Sequence, residues 1–171
     1  MTGDELRAIQ APLKQRYRDA PDAALITLRA AGVVGEAAVA CRVETGRALV
    51  EAGLHPATGG SGREACSGDM LLEALVACAG VTLASVARAL GLELRHAAVQ
   101  AEGDLDVRGT LGVARDAPVG FRTIRLRFAV DTDADDAALA TLLKLTERYC
   151  VVYQTLQHPA AEPARIERLA G

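Results

Sequence analysis

The chain has 171 residues, the length of one domain with a sizeable core; half of them are apolar, only five are aromatic, and the net charge is −3 with both signs mixed. There is no basic run and no alternation of basic with aromatic residues, which argues against a nucleic-acid partner, and the start at Met1 lacks the basic-then-apolar pattern of a signal peptide. A reducing, cytoplasmic setting is therefore expected, in which the four cysteines are buried, catalytic or metal-bound thiols rather than structural disulfides.

Residues 3–17 have the spacing of a short amphipathic helix, with Leu6, Ile9 and Leu13 on one face and Asp4 and Glu5 at its start; Pro12 inside it points to two short turns instead. Residues 1–22 read as a helical N-terminal extension, 23–158 as the main domain and 159–171 as a tail with two prolines and mixed charges. Residues 24–30 read as a strand, 32–35 as a hairpin turn, 36–45 as the returning strand and 47–51 as a third, which makes an antiparallel meander with one solvated face.

Residues 55–69 are glycine-rich and turn-forming, but they lack the Gly-Lys-Ser/Thr ending of a phosphate loop, so a plain connection is the better reading. Ser67 or Asp69 then caps a long apolar stretch over residues 68–90, where Leu71, Leu75, Ala79, Leu83, Val86 and Leu90 recur at helical spacing. A window that short should carry few or no charges if it spans a membrane; Glu73 and Arg88 lie inside it, so a core helix is expected and no membrane partner. Gly91 is its natural C-cap.

Residues 92–107 alternate, 108–112 turn, and 121–130 form the clearest strand, with Phe121, Ile124, Leu126 and Phe128 as its apolar residues and Arg125 and Arg127 on a solvated face. The acidic run 131–136 opens a second helix over 134–148, buried through Leu139, Leu142, Leu143 and Leu145, and residues 151–156 start another. The order strands, helix, strands, helix defines an α+β fold. One small sheet cannot cover a helix apolar on most sides, so a homodimer is expected.

Cys78, in the middle of the long helix, and Cys150, after the later one, are thiols able to do chemistry, and the functional reading turns on whether they meet. A free thiol is only a few per cent ionised at neutral pH and burial lowers that further, so a nucleophilic Cys78 needs a nearby cation. Cys41, on an expected strand, reads as core. Cys66 would lie roughly 15 Å from Cys78 along a helix, too far to bond it, and is left as a candidate accessory thiol for exchange with Cys150 of either subunit. His55, His96 and His158 have no close spacing and there is no Cys-x-x-Cys, so neither a metal nor another cofactor is expected.

Residues 68–83 around Cys78, 102–112 with 118–121, and 146–150 together resemble the OsmC/Ohr family, the osmotically inducible protein C and organic hydroperoxide resistance proteins, over about residues 24–156. The resemblance implies an OsmC-like fold in which antiparallel sheets wrap long central helices in an intertwined homodimer. It implies reduction of organic hydroperoxides in oxidative-stress defence, with Cys78 peroxidatic, Cys150 resolving and an external dithiol as reductant. The family's catalytic arginine comes from the first strand region, where Arg29 is nearest and Arg42, Arg47 and Arg63 are alternatives. Two positions depart from the family pattern. Ser67 and Gly68 replace the Pro-Glu pair that opens the central helix, which leaves Asp69 as the candidate carboxylate, and Val151 replaces the proline after the second cysteine. The alternative reading is a non-enzymatic member that binds a small hydrophobic ligand at the dimer interface.

Overall fold

The computed structural model describes residues 2, 4, 5, 8, 11, 31–34, 40–44, 49–112 and 115–168. The expected strand over residues 24–30, and Arg29 with it, lies outside the described residues, as do Pro12 and Arg47. At the N-terminus Thr2 and Glu5 form a reciprocal capping box: Thr2 N–H donates to Glu5 Oε2 at 2.7 Å and Glu5 N–H donates to Thr2 Oγ1 at 3.2 Å.

Strands β1 (Ala31–Val34), β2 (Ala40–Glu44), β3 (Leu49–Gly53) and β4 (Ala65–Cys66) form a sheet in that order, antiparallel except for the parallel β3–β4 pair. The expected meander is present, but residues 32–34 are strand rather than turn. Val33 and Val34 are β-branched and continue the pairing, opposite Arg42 and Cys41. Between β3 and β4, His55 caps a single 3₁₀ turn (Pro56–Thr58), its Nδ1 accepting from Ala57 N–H at 3.0 Å, which gives this histidine a structural role.

Helix α1 (Ser67–Leu90) follows β4 without a break. Its N-cap is Cys66, not Ser67 or Asp69, because strand pairing to Gly53 extends through Cys66 and Ser67 is already helical. The Cys66 side chain makes no capping bond, and Asp69 stands in the first turn. Gly91 ends the helix in the left-handed conformation at φ +71°, as expected, and Leu92 N–H donates to Ala87 O at 2.9 Å.

Strands β5 (His96–Leu105) and β6 (Phe121–Asp131) form a two-stranded antiparallel sheet, joined through a one-turn helix α2 (Val107–Thr110) where a plain turn was expected. Asp104 faces Thr123 while Leu105 faces Phe121, so Arg122 is an extra residue in the ladder. This bulge lets Phe121 and Ile124, three positions apart, share the inward face. Arg125 and Arg127 are exposed on the other face, and Arg125 pairs across the strands with Asp104 and Glu102. Phe121 lies over Gly103, where an added Cβ would stand 2.5 Å from Phe121 Cε1. Gly103→Ala is therefore expected to cost about 1–3 kcal/mol, read as a lower urea midpoint.

Helix α3 (Asp136–Tyr149) is capped by Asp135, whose carboxylate accepts from Ala138 N–H at 2.8 Å, and is followed by α4 (Val151–Gln157). The inward stripe of α3 is Leu139, Leu142 and Thr146; Leu143, expected to be buried, stands to the side of this stripe and is exposed. The buried Thr146 hydroxyl is satisfied by donating to Leu142 O at 2.7 Å.

The core is built on one stripe of α1. Leu83, Val86 and Ala87 pack with Leu142 of α3, while Leu75 and Ala79 pack with Cys150, and the inward faces of β5 and β6 close both groups. By length and composition alone α1 could cross a membrane, yet this stripe is occupied by the sheet, α3 and α4. The helix is not buried all round. Leu71, Ala74, Ala77 and Val81 form an outward stripe at three- and four-residue spacing, with Val81 73% exposed.

Candidate active site

Cys150 is the junction of two helices. Its N–H donates to Thr146 O at 3.0 Å, ending α3, and its carbonyl accepts from Gln154 N–H at 2.9 Å, opening α4. The side chain is fully buried, packed with Leu75 and Ala79 and in contact with Cys78, which is half-buried on α1. One turn on from Cys78, the Thr82 hydroxyl donates to Cys78 O at 2.8 Å.

The start of α4 faces both sulfurs. Burial opposes ionisation of Cys78, but the Val152 amide, the Cys150 thiol, the Val151 amide and the Thr82 hydroxyl outweigh it and hold this thiol below the usual cysteine range. Burial pushes the Cys150 thiol up, against the Tyr153 and Val152 amides, and the facing Cys78 sulfur adds to the rise. One partner is thus the better anion and the other the better proton carrier.

No guanidinium acts on Cys78 among the described residues. Arg63 is exposed in the loop before α1, and Arg42 lies on β2. Asp69 is exposed nine positions before Cys78, about 13 Å of helix rise, so within one chain it does not reach the thiol. Cys66 lies at the far end of α1 beside Gly68 and the Phe121 ring, and the helix between keeps it from Cys78. Of the expected site residues, the fold brings together Cys78 and Cys150 and leaves Asp69 and Cys66 apart from them. The α4 amides were not anticipated; the expected helix starting directly after Cys150 was the signal for them. Among the described residues no three His, Cys, Asp or Glu side chains cluster as a metal set.

The departure at Val151 gains a role from this geometry. A proline there has no N–H, whereas the Val151 amide is among the groups that lower the Cys78 thiol. Val151→Pro should fit the backbone, because it is the first helical position and Cys150 before it is extended at ψ 107°. A depressed pKa keeps thiolate present until the pH falls through it, so alkylation of Cys78 by iodoacetamide should persist to lower pH than that of a free thiol. Val151→Pro should move that midpoint upward.

On the far side of Leu75 and Tyr153 lies a cavity of about 210 Å³ between β6, α3 and α4. Ile124, Leu126 and Phe128 line it from β6, and Leu143 and Leu156 from the helices. Glu147, Tyr153 and Gln157 make its polar side; the Tyr153 hydroxyl donates to Glu147 Oε1 at 3.4 Å.

An α+β fold that sets a half-buried thiol on a long helix against a fully buried thiol between two others defines a dithiol protein. Residues 60–161 match the family described as OsmC-like protein, and the chain belongs to that family. The fold is similar to an OsmC-like protein from Mycoplasma pneumoniae at 16% identity, covering 79% of this chain and 90% of that one with a TM-score of 0.65. It is similar to an organic hydroperoxide resistance protein OsmC from Legionella pneumophila at 16% identity, covering 79% and 92% with a TM-score of 0.61. It is also similar to the organic hydroperoxide resistance protein OhrB of Bacillus subtilis at 19% identity, covering 80% and 94% with a TM-score of 0.52. At these identities the likeness is one of fold. No curated protein sequence matches the chain.

Proposed function

We propose that this protein is a thiol-dependent peroxidase that reduces organic hydroperoxides in oxidative-stress defence, acting as a homodimer in the cytoplasm. The observation that carries the reading is the contact between Cys78, whose thiol is held below the usual cysteine range, and Cys150, whose thiol burial pushes above it. Proteins of the same fold named organic hydroperoxide resistance proteins support the substrate class.

The Cys78 thiolate attacks the terminal oxygen of the hydroperoxide. The O–O bond breaks, Cys78 becomes a sulfenic acid, and the alkoxide leaves to take a proton as the alcohol. The protonated Cys150 thiol then condenses with the sulfenic acid, forming a disulfide and releasing water. An external dithiol reopens the bond and is itself oxidised to a disulfide. Arg29 is the proposed source of an added guanidinium, with Asp69 as the candidate carboxylate that would hold it. The outward stripe of α1, from Leu71 to Val81, supports the dimer, because a second copy would cover it. The apolar cluster that holds Cys150, with Val99, Ala101 and Leu126 packed against it, favours alkyl over hydrogen peroxide.

Thiol counting before and after one equivalent of cumene hydroperoxide, with peptide mapping, tests the reading. A Cys78–Cys150 bond formed within seconds is expected. A bond containing Cys66 would change the resolving residue, and four unreacted thiols would replace the enzyme with the ligand-binding alternative.

A further inference from the structure

We propose that the cavity between β6, α3 and α4 binds a small primary amine carrying an aryl or short alkyl tail. The cavity lies across Leu75 from the thiol pair and shares that wall with it, while neither cysteine is among its lining residues. Size sets the tail. An engineered cavity of about 150 Å³ lined by aliphatic and aromatic side chains admits benzene, so this cavity of about 210 Å³ has room for a ring with a short arm. Leu75, Leu126 and Phe128 supply the apolar wall that such a tail would meet.

Charge sets the head. Glu147 is half-buried at the polar side, and Tyr153 O–H at 3.4 Å is its side-chain partner there. No cation pairs with Glu147 among the described residues, and the neighbouring Arg148 lies instead over the Tyr149 ring, 5.5 Å from its centre. Burial pushes the Tyr153 hydroxyl up, and the Glu147 charge adds to the rise, so the hydroxyl stays protonated. A carboxylate beside an apolar hole is best answered by an ammonium, whose charge-assisted bond is stronger than that of a neutral donor and is less screened there than in open water. The Tyr153 oxygen and the Gln157 amide oxygen can accept further ammonium protons.

Calorimetric titration of the full chain with three probes of like shape tests this: phenethylamine, phenethyl alcohol and hydrocinnamate. The amine should bind about tenfold more tightly than the alcohol, and the carboxylate should not bind. Glu147→Gln should level amine and alcohol. Leu143→Trp, at an exposed rim position where the fold tolerates change, should fill the mouth and abolish both. Cys78→Ser should leave amine binding unchanged. Equal affinity for all three probes, no binding of any, a tenfold preference surviving Glu147→Gln, or loss of amine binding in Cys78→Ser would overturn the proposal.

Discussion

Replacing Cys78 with serine is expected to cut hydroperoxide consumption by at least about a thousandfold, to the uncatalysed rate. The attacking species is a thiolate, and a serine hydroxyl is not ionised at neutral pH in any setting this site offers. The amides of Val151 and Val152 that stabilise a sulfur anion would face a neutral oxygen instead. Cys150→Ser should behave differently. Its Cys78 still attacks, so one equivalent of hydroperoxide should be consumed and then the reaction should stop at the sulfenic acid. A ferrous–xylenol orange assay follows the peroxide and dimedone labelling traps the intermediate. A Cys78→Ser protein with undiminished turnover would remove Cys78 from the mechanism, and a Cys150→Ser protein with full turnover would show that another thiol resolves.

Leu75→Ala is expected to be the costliest single change in the core, at about 2–5 kcal/mol, with a fall in Tm on the order of 10 °C. Leu75 is 1% exposed and is wedged between Cys150 and the cavity under β6. Truncating it both leaves a void and joins that void to an existing one, so the surroundings have little to collapse onto. The same change should open Cys150 to solvent, read as faster reaction with a colorimetric disulfide reagent. Leu71→Ala, four positions earlier and on the outward stripe, should cost far less in the monomer. A comparable loss at both positions would mean that the outward stripe is also packed.

The elements most legible from the sequence were those with strong local signals. Gly91, the acidic run before α3 and the alternation through β6 each mark a backbone choice made within a few residues, and the structure agrees at each. The N-cap of α1 was misread because a long-range interaction decided it: pairing of Cys66 with Gly53 fixes where the strand yields to the helix. The turn placed over residues 32–35 failed for a related reason, since glycine spacing outweighed the β-branched Val33 and Val34. The two thiols that the fold brings together are both conspicuous in the sequence, but the groups acting on Cys78 were sought among arginines. The described groups are backbone amides of α4, which have no side-chain signature; only the junction at Cys150 betrays them.

The two thiols in contact lie seventy-two positions apart in the chain. A bond between them would close a loop of that length and remove about 4 kcal/mol of conformational freedom from the unfolded chain in the loop-entropy description. By linkage, folding would make the disulfide harder to reduce by the same amount, about 90 mV for a two-electron couple. The oxidised protein should therefore melt at a higher temperature than the reduced one, so a melting curve would report how far the catalytic cycle had run. The dithiol that completes each turnover would have to supply that driving force.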